Sequence, residues 1–474
     1  MTEQTAPQTL DLSPSSLVIF GITGDLARRK VLPALYHLSK EKLLPAQFEI
    51  IGTSRRPLTI DELIKEVELC VLEIDNVCDP AALSEFRRHI RLIQLDPSNG
   101  DDYDDLRQTL DDIESEHGDC LNRLFYLSIP PQIYGSVVRS LGEHGLNQGC
   151  QHGQGASRLL VEKPFGYDYA SAEALIATTT DAFTEDQVLR IDHYLAKETA
   201  QNILTFRQHN PLFASIWNNQ NITSIDIVAY EKIGIEGRID FYEQIGALRD
   251  LIQSHLLQLL ALTTMELPTQ IGDSAAIHAS KQTLLDAIVA PAPDEVTSDV
   301  VRAQYDGYRD EVNNPDSTTE TFVSCRFKID NDRWRGTPIT LKTGKAMASK
   351  RTDITICFGH TGSDAADNQL TFRIQPNEGI DIQLLVKKPG YKNEVHPASM
   401  DFSYGTTFDG HAHPDAYERV LVDALRGDHS LFATSQEVLT SWRILQPILE
   451  QWSQDSGDLK TYHQGIPVSE ILAS

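Results

Sequence analysis

The densest group of side chains able to do chemistry lies at residues 190–198, Arg-Ile-Asp-His-Tyr-Leu-Ala-Lys-Glu. The apolar spacing that follows predicts a helix over 192–208 with Asp192 as its N-cap. On that helix His193 and Lys197, four residues apart, share a face near the free amides of the first turn. An imidazole, an ammonium group and free amides together predict a phosphate site. The alternative is a solvated helix face.

A single histidine lies in the apolar arc of a second predicted helix, residues 246–264. His255 falls between Ile252 and Leu259, where a histidine is commonly a satisfied core residue. A carboxylate from elsewhere would change that interpretation, because it would hold one ring nitrogen and leave the other to take a proton. Asp192 is the candidate carboxylate, so His255 is a candidate general base oriented by Asp192.

A lysine follows the fifth predicted strand, in Val161-Glu-Lys-Pro164. Proline restricts Lys163 to an extended conformation and prevents a helix from starting there. The lysine would then project from the carboxyl end of a parallel strand, where such sheets bind ligands. The alternative is a turn with an exposed lysine.

Glycines follow the first predicted strand, in Gly21-Ile-Thr-Gly24-Asp25-Leu26. Glycines at the first strand-to-helix turn let the backbone approach a pyrophosphate, and the helix N-terminus adds free amides. The pattern is Gly-x-x-Gly and not the full Gly-x-Gly-x-x-Gly, so an ordinary turn is the alternative. Its position in a strand–helix series favours a dinucleotide site.

The second predicted strand ends in Thr53-Ser-Arg55-Arg56. Folds that bind NAD usually have a carboxylate here for the ribose 2′-hydroxyl, whereas an arginine accommodates a 2′-phosphate. Two arginines without an acid predict NADP as the cofactor. A solvated basic turn is the alternative.

The elements that must position these residues change character along the chain. Before residue 190, short apolar runs alternate with helical stretches such as 28–42, which implies a parallel sheet covered on both faces. The strands predicted there are 17–21, 48–52, 90–95, 124–129 and 158–161. After residue 222, closely spaced strands with short connections predict a largely antiparallel sheet, packed by helices at 192–208, 246–264 and 414–425. Its strands are predicted at 222–231, 321–329, 339–342, 354–358, 370–374 and 380–386.

Length and composition limit the number of domains and the classes of partner that this chain can have. At 474 residues, with 41% hydrophobic and 23% charged residues, the chain is expected to form two globular domains. Its net charge of -27 argues against nucleic acid or an anionic membrane surface as a partner, and requires any anion site to gather cations locally. Residues 1–16 have no signal-peptide pattern and are predicted to be a frayed tail. Six scattered cysteines predict reduced thiols in a cytoplasmic protein.

Several stretches together resemble the glucose-6-phosphate dehydrogenase family. They are GITGDLARRK, EKPFG, RIDHYLAKE, EGRIDFYEQIGALRDLIQSHLLQ, LKTGKAMASK, RIQPNEG and HPDAYERVL, in family order from about residue 17 to 450. The resemblance implies an N-terminal Rossmann-like NADP-binding domain, 1–190, and a C-terminal β+α substrate and dimerisation domain, 191–474. It implies oxidation of D-glucose 6-phosphate at C1 to 6-phospho-D-glucono-1,5-lactone, the first step of the oxidative pentose phosphate pathway. The expected assembly is a homodimer or a dimer of dimers.

The resemblance also assigns roles to matching positions. His255 would remove the proton of the C1 hydroxyl while hydride leaves C1 for the nicotinamide, and Asp192 would orient His255. No metal is expected. The substrate-binding positions would be Lys163, His193, Tyr194, Lys197, Glu231, Asp250, Lys345, Lys350 and, more weakly, Gln375. The cofactor-binding positions would be Gly21, Thr23, Gly24, Asp25, Leu26, Arg55, Pro130 and Lys163.

One implied pair conflicts with regular helix geometry. Asp250 and His255 are five residues apart, which places them about 140° apart on a regular helix. Either the helix starts at or after Asp250, or this aspartate is less central than the resemblance implies. The first solution is the one we expect.

Two other functions remain open at this point. A Rossmann sugar dehydrogenase of the glucose–fructose oxidoreductase type also carries a Glu-Lys-Pro segment, but it would not explain His193 with Lys197. A non-catalytic NADP-binding or assembly protein could retain the fold.

Overall fold

The structure, a computed structural model, describes residues 10–150, 155–237, 239–359, 368–408, 414–454 and 457–473. The chain divides into two compact units, each described separately below. The first unit consists of the described residues within Met1–Gly166, Ala170–Ala196 and Pro414–Ser435. The second unit takes in Tyr167–Tyr169, Lys197–His413 and Gln436–Ser474.

The strands are numbered β1 to β17 along the described chain. The first six are Ser15–Phe20, Phe48–Ser54, Ile90–Gln94, Asn122–Leu127, Ser157–Val161 and Val188–Ile191. Strands β7 to β12 are Ile222–Tyr230, Ile288–Val289, Val300–Tyr305, Phe322–Ile329, Ile339–Gly344 and Arg351–Phe358. Strands β13 to β17 are Asn368–Gln375, Gly379–Lys387, Val395–Ser403, Phe432–Ala433 and Lys460–Tyr462.

Helices connect these strands in both units. Up to residue 214 they are Ala27–Val31 (π), Leu32–Lys40, Ile60–Asp75, Pro80–Arg88, Asp102–His117, Tyr134–Glu143, Tyr169–Thr180, Glu198–His209 and Pro211–Ala214, with 3₁₀ turns at Pro131–Ile133, Leu146–Gln148 and Glu185–Gln187. From residue 239 they are Ile239–Ala247, Leu248–Leu256 (π), Leu257–Thr264, Ser274–Ala287, Pro293–Asp299, Tyr308–Glu311, Tyr404–Thr407, Ala416–Arg426, Ser435–Gln454 and Val468–Ala473.

The first unit contains a seven-stranded sheet in the order β16-β6-β5-β4-β1-β2-β3. All its pairs are parallel except β16 with β6. Leu17, Val18, Ile19 and Phe20 of β1 are at most 1% exposed, as expected for a sheet covered on both faces. The strand order reverses between β1 and β4, and ligands of such sheets bind at the carboxyl ends of the strands at that point.

The second unit contains a ten-stranded sheet in the order β15-β14-β13-β12-β7-β11-β10-β9-β17, with β8 paired to β10. It is largely antiparallel, as predicted, but β7 with β11 and β9 with β17 run parallel. A core at one end of this sheet contains Tyr230, Tyr242, Tyr305, Phe322 and Tyr462. The parallel pair β7–β11 positions candidate site residues, as described below.

The five strands predicted before residue 190 and the six predicted after residue 222 are all confirmed, apart from shifts at their ends. The helix predicted over 192–208 is wrong in its first turn, because it begins at Glu198. Strand β6 occupies Val188–Ile191 and was not predicted. The residues that follow it, 192–197, form a turn, since a chain leaving a parallel strand must change direction before it can enter a helix.

Two further expectations need correction. Ser15 and Ser16 are buried in β1, so the predicted tail over 1–16 is wrong for these two residues, while residues 1–9 lie outside the described part. A disulfide joins Cys120 to Cys150, with their Cα atoms 5.6 Å apart, so the prediction of six reduced thiols is wrong for this pair. Each cysteine precedes one of two paired strands, β4 and β5, and that pairing brings them together.

No helix in the described ranges is both long enough and apolar enough to cross a membrane.

Candidate active site

The predicted cofactor turn lies directly after β1. Gly21 has a φ of 79°, and a Cβ there would lie 2.6 Å from the main-chain oxygen of Ser128, so the turn requires glycine. The amide of Gly24 donates to the oxygen of Gly21 at 2.8 Å, and the oxygen of Gly24 accepts from the amide of Arg28 at 3.0 Å. Helical residues follow from Asp25. The turn therefore has the tight backbone and the adjoining helix N-terminus that a pyrophosphate site needs.

A dinucleotide fits the residues around this turn. The turn closes against Ser128, which follows β4 at the point where the strand order reverses. The Ser128 Oγ atom is buried and has no hydrogen-bond partner among the described residues. A buried hydroxyl without a partner is costly, so it marks a place where a polar ligand group would be accepted. Sequence reasoning missed Ser128, because one serine after a strand carries no pattern.

The remaining cofactor candidates lie in the same unit. Arg55 follows β2 and is exposed, as is Arg56, and no carboxylate stands beside them in sequence. Asp25 is exposed and forms an ion pair with Arg29 at 2.7 Å. The other candidates also lie at strand or helix ends: Thr23 and Leu26 in the first turn, Pro130 before the 3₁₀ turn Pro131–Ile133, and Lys163 after β5.

The predicted phosphate segment is built as a turn and not as a helix. The Asp192 carboxylate accepts from the amide of Tyr194 at 2.9 Å, and its main-chain oxygen accepts from the amide of Leu195 at 3.1 Å. Lys197 is the N-cap of the helix Glu198–His209. The prediction that Asp192 caps the helix and that His193 and Lys197 share a helix face is therefore wrong. Asp192 is 2% exposed, which fits a positioning role better than contact with solvent.

His193 is embedded in a group of side chains that sequence reasoning missed. Its Nε2 atom lies 3.3 Å from Oε2 of Glu162, the residue before Lys163. The phenol of the buried Tyr126 donates to the other oxygen, Oε1 of Glu162. The ring of Tyr417 packs on the imidazole with 4.1 Å between centroids. Burial, reinforced by the negative charge of Glu162, raises the pKa of Tyr126 well above its ordinary value, so the phenol keeps its proton.

In the second unit, three predicted substrate residues come together. Glu231 follows β7 and Lys345 follows β11, and these strands are parallel neighbours with Tyr230 opposite Gly344. The Lys345 ammonium pairs with the Glu231 carboxylate and lies 3.9 Å from that of Asp250. The result is a cation held between two acids, with oxygen and nitrogen atoms suited to binding hydroxyl groups.

Two buried tyrosines contact Lys345. The Lys345 ammonium lies 4.9 Å from the ring centre of Tyr242. The Tyr462 phenol donates to the Lys345 main-chain oxygen at 2.7 Å. Ala346, the next residue, has a φ of 51°, a left-handed conformation that costs a non-glycine residue about 1–2 kcal/mol. Such strain persists where surrounding contacts enforce it, as they do here.

The segment with Asp250 and His255 is wound as a π-helix, Leu248–Leu256. At its end the amide of Leu257 donates to the oxygen of Ile252, five residues earlier. Residues five apart are therefore about one turn apart, which removes the conflict between Asp250 and His255. The expectation that the helix starts at or after Asp250 is wrong, because the helical residues begin before it. His255 is 6% exposed.

The start of the π-helix is set by a glycine and a distant carboxyl group. Gly246 has a φ of 67°, which interrupts the preceding helix. The amide of Leu248 donates to Oε1 of Glu320 at 2.9 Å, and a Cβ on Gly246 would collide with that carboxyl group. Burial raises the pKa of Glu320. Sequence reasoning missed Glu320, because nothing in its local pattern links it to residue 248.

Two substrate candidates have different surroundings. Lys350 is exposed, directly before β12. Gln375 ends β13, and its amide donates to the hydroxyl of Thr352 on β12 at 3.1 Å. Asp192 and His255 belong to different units, so their pairing stays a prediction.

Within the described residues, no group of three or more His, Cys, Asp or Glu side chains could hold a metal ion. His411 and His413, two histidines separated by one residue, lie outside the described residues.

Comparison with known proteins gives one consistent result. The model of the glucose-6-phosphate dehydrogenase NAD binding domain matches residues 18–202, and that of the C-terminal domain matches 204–470. Glucose-6-phosphate 1-dehydrogenase of Chlamydia muridarum is 40% identical, over 93% of this chain and 91% of the relative, and that of Bacillus subtilis is 36% identical, over 95% and 94%.

Solved structures agree with the sequence matches. A glucose-6-phosphate dehydrogenase in complex with its substrate glucose 6-phosphate covers 98% of both chains, with a TM-score of 0.90 and 34% identity. The Mycobacterium avium glucose-6-phosphate 1-dehydrogenase covers 95% of both chains, with a TM-score of 0.82 and 32% identity. The resemblance found in the sequence is thereby confirmed, and the chain belongs to the glucose-6-phosphate dehydrogenase family.

Proposed function

We propose that this chain oxidises D-glucose 6-phosphate at C1 to 6-phospho-D-glucono-1,5-lactone, with NADP as the hydride acceptor. One observation carries the proposal: the structural match, over 98% of the chain, to a glucose-6-phosphate dehydrogenase that was solved with its substrate. The reaction makes the chain an oxidoreductase of the pentose phosphate pathway, and its class requires a nicotinamide cofactor.

The base of the proposed reaction is His255. Its imidazole takes the proton of the C1 hydroxyl, and the electron pair of the C1–H bond leaves as hydride. A nicotinamide held by the cofactor residues named below would supply the acceptor for that hydride. Asp192 orients the imidazole and stabilises the imidazolium that forms, which is the role of the acid in hydrolase triads. Both side chains are buried, which supports a fixed side-chain geometry, because water has little access to them.

The proposed substrate contacts come from both units. His193, Tyr194 and Lys197 bind the phosphate, and Lys163 contacts the sugar next to the nicotinamide. Glu231 and Asp250 accept hydrogen bonds from sugar hydroxyls. Lys345 holds these two carboxylates in place through the contacts described above, and so keeps their acceptor oxygens oriented. Lys350 and Gln375 complete the proposed set.

The proposed cofactor contacts lie in the first unit. Gly21, Thr23, Gly24, Asp25 and Leu26 form the turn and the helix start against which the pyrophosphate binds. The exposed guanidinium of Arg55 pairs with the 2′-phosphate, which would select NADP over NAD. Pro130 and Lys163 would line the nicotinamide end.

The remaining proposals concern organisation in the cell. Residues 1–190 form the NADP-binding domain and residues 191–474 the substrate-binding domain. Two copies associate through the large sheet of the second domain, as a homodimer or a dimer of dimers. The protein acts in the cytoplasm on a small sugar phosphate.

One assay tests the reaction and its closest alternative. Initial rates are measured with glucose 6-phosphate and with glucose, each with NADP and with NAD. We expect reduced cofactor with glucose 6-phosphate at concentrations where glucose gives almost none. Equal rates on the two sugars would favour an enzyme of the glucose–fructose oxidoreductase type, and no reduced cofactor with either would favour a non-catalytic protein.

The choice of cofactor has its own test. Arg55→Glu should raise the KM for NADP far more than the KM for NAD, because the new carboxylate repels the 2′-phosphate and can accept from a 2′-hydroxyl. Arg107→Glu, which reverses a half-exposed charge on the helix Asp102–His117, is the matched control and should change neither KM. Equal effects of Arg55→Glu on both cofactors would remove the assignment.

A further inference from the structure

The candidate phosphate residue His193 is backed by a chain of two buried polar side chains. Glu162 is 7% exposed and Tyr126 is fully buried. Each carboxylate oxygen of Glu162 has one partner, the Tyr126 phenol on Oε1 and the His193 Nε2 atom on Oε2. A carboxyl group taken this far from water requires such partners. The arrangement is therefore specific and not a chance surface contact.

The hydrogen bonds of the two ring nitrogens of His193 indicate which of them could contact a ligand. A carboxylate only accepts, so the nitrogen beside it, Nε2, must carry a hydrogen. The other nitrogen, Nδ1, is buried and has no partner among the described residues. The Tyr417 ring, packed on the imidazole, restricts rotation that would exchange the two nitrogens. Nδ1 is thus the ring nitrogen whose hydrogen-bonding capacity is unused among the described residues, and a hydrogen on it could be donated to an anion.

We propose that Tyr126 and Glu162 are positioning residues for phosphate recognition: Tyr126 orients the Glu162 carboxylate, and this carboxylate holds the imidazole of His193 by Nε2 so that Nδ1 is directed to the phosphate. The inference rests on the proposed function, in which His193 binds the phosphate of the substrate. It adds two residues that do not touch the substrate. The phenol keeps its proton because its pKa is raised, so it holds the Glu162 oxygen throughout the working pH range.

The contacts among Tyr126, Glu162 and His193 follow from their positions on neighbouring strands. Glu162 directly precedes Lys163, and Asp192 directly precedes His193, at the ends of the parallel neighbours β5 and β6. Tyr126 lies one residue before the end of the next strand, β4, opposite Leu160. Three adjacent strands thus contribute the donor, the acid and the imidazole in order across the sheet.

The test is a double-mutant cycle with Glu162→Gln and His193→Asn. Dissociation constants for glucose 6-phosphate are measured by calorimetry on the cofactor-free protein, and KM and kcat are measured with NADP. Glutamine keeps the size of the side chain but removes its charge. We expect Glu162→Gln to weaken glucose 6-phosphate binding about tenfold or more, the scale of a hydrogen bond to a charged group, with kcat and the KM for NADP changed less than about threefold.

The decisive quantity is the coupling between the two positions. In the His193→Asn background, Glu162→Gln should weaken binding by less than about twofold, because the residue through which it acts is gone. Tyr126→Phe should weaken binding by less than Glu162→Gln does. Equal losses from Glu162→Gln with and without His193, or no loss in either background, would overturn the inference.

Two further measurements keep the outcomes distinct. Glu114→Gln removes the charge of another mostly buried carboxylate in the first unit, which pairs with Arg123, and should leave glucose 6-phosphate binding unchanged. If it weakens binding as Glu162→Gln does, the effect is general and the inference fails. Wild-type protein that binds glucose 6-phosphate without oxidising it would contradict the proposed function, while the binding cycle would still decide the inference. Absence of binding would overturn both.

Discussion

The two units place their candidate site residues at the same kind of position but in different kinds of sheet. In the first unit nearly all strand pairs are parallel, and Glu162, Lys163, Asp192 and His193 follow the neighbours β5 and β6. In the second unit parallel pairing is the exception, yet Glu231 and Lys345 follow one of its two parallel pairs. Local strand direction, and not the class of the whole sheet, brings such side chains together, because the carboxyl ends of parallel strands meet at one edge.

The units also stabilise their polar groups differently. In the first unit Glu162 is held by a phenol and an imidazole. In the second unit Lys345 is held between carboxylates, and elsewhere the fully buried Lys281 and Glu437 pair at 2.9 Å, with Gln258 and His278 completing their hydrogen bonds. At these sites the first unit thus uses a phenol and an imidazole as the hydrogen-bonding partners of its carboxylate, whereas the second unit uses lysine ammonium groups.

The largest effect is expected at the base itself. His255→Asn should lower kcat by about 100- to 10,000-fold with the KM for glucose 6-phosphate nearly kept, since asparagine cannot take the proton. Steady-state kinetics over a range of enzyme concentrations measures it. Turnover like that of the wild type would refute the base assignment and leave the second unit with substrate binding alone.

The buried pair of Lys281 and Glu437, which has no proposed role in the reaction, tests how much charge pairing stabilises the second unit. Lys281→Met leaves the buried Glu437 carboxylate without its cation and should destabilise the second unit by about 3–5 kcal/mol. Arg443→Met breaks an exposed pair with Asp286 between the same two helices and should cost less than about 1 kcal/mol. Urea unfolding followed by hydrogen exchange measures both, and similar losses would contradict the stated role of burial.

The cation between two acids should matter for activity. Lys345→Gln leaves Glu231 and Asp250 facing each other without a cation and should lower kcat/KM for glucose 6-phosphate about 10- to 100-fold. Lys342→Gln, in the strand β11 that directly precedes Lys345, breaks a similar ion pair with Asp226 and should change kcat/KM by less than about twofold. If both variants lose activity equally, strand stability and not site charge is the cause.

The smallest effect is a contrast in pH dependence. A hydrogen bond to the Glu418 carboxylate, with Asp75 nearby, raises the pKa of His37 in the first unit above its ordinary 6.5. Its contribution to stability is therefore complete below 6.5 and lost as pH rises through the raised value. In the second unit burial opposes ionisation of Glu437, but Lys281 and His278 outweigh it and lower the pKa below 4.5, so its contribution is lost as pH falls.

This contrast can be measured with two variants. The difference in stability between wild type and His37→Gln, about 1 kcal/mol or less, should shrink as pH rises above 6.5. The difference for Glu437→Gln should shrink only as pH falls below 4.5. Hydrogen exchange of peptides from each unit separates the two responses, and a parallel response of both units would contradict the assigned signs.

The sequence predicted the strands well because buried parallel strands are continuous apolar runs, such as Leu-Val-Ile-Phe in β1. It failed at β6, because Val188–Ile191 is only four residues long and runs directly into Asp192, whose residue type also suits a helix N-cap. The family resemblance assigned candidate roles to His193 and Lys345, but none to Tyr126, Ser128 or Glu320, whose contacts come from residues far away in sequence.

The π-helix shows a different limit of sequence reasoning. Apolar periodicity was interpreted with 3.6 residues per turn, and a segment with one extra residue per turn cannot be distinguished in so short a stretch. The conflict between Asp250 and His255 was nevertheless real information. The π-helix resolves it, and not the later helix start that the sequence led us to expect.

The chain completes its first unit late. Helix Ala416–Arg426 supplies Glu418 to His37, and β16 pairs with β6, yet both elements follow residues 197–413 of the second unit. On the ribosome, the nascent first unit therefore emerges with an unfinished sheet edge and an uncovered helix, and must persist in that state while the second unit is translated. A fragment that ends at residue 196 would therefore lack the strand that pairs with β6 and the helix that contacts His37, and its unpaired strand edge would favour aggregation.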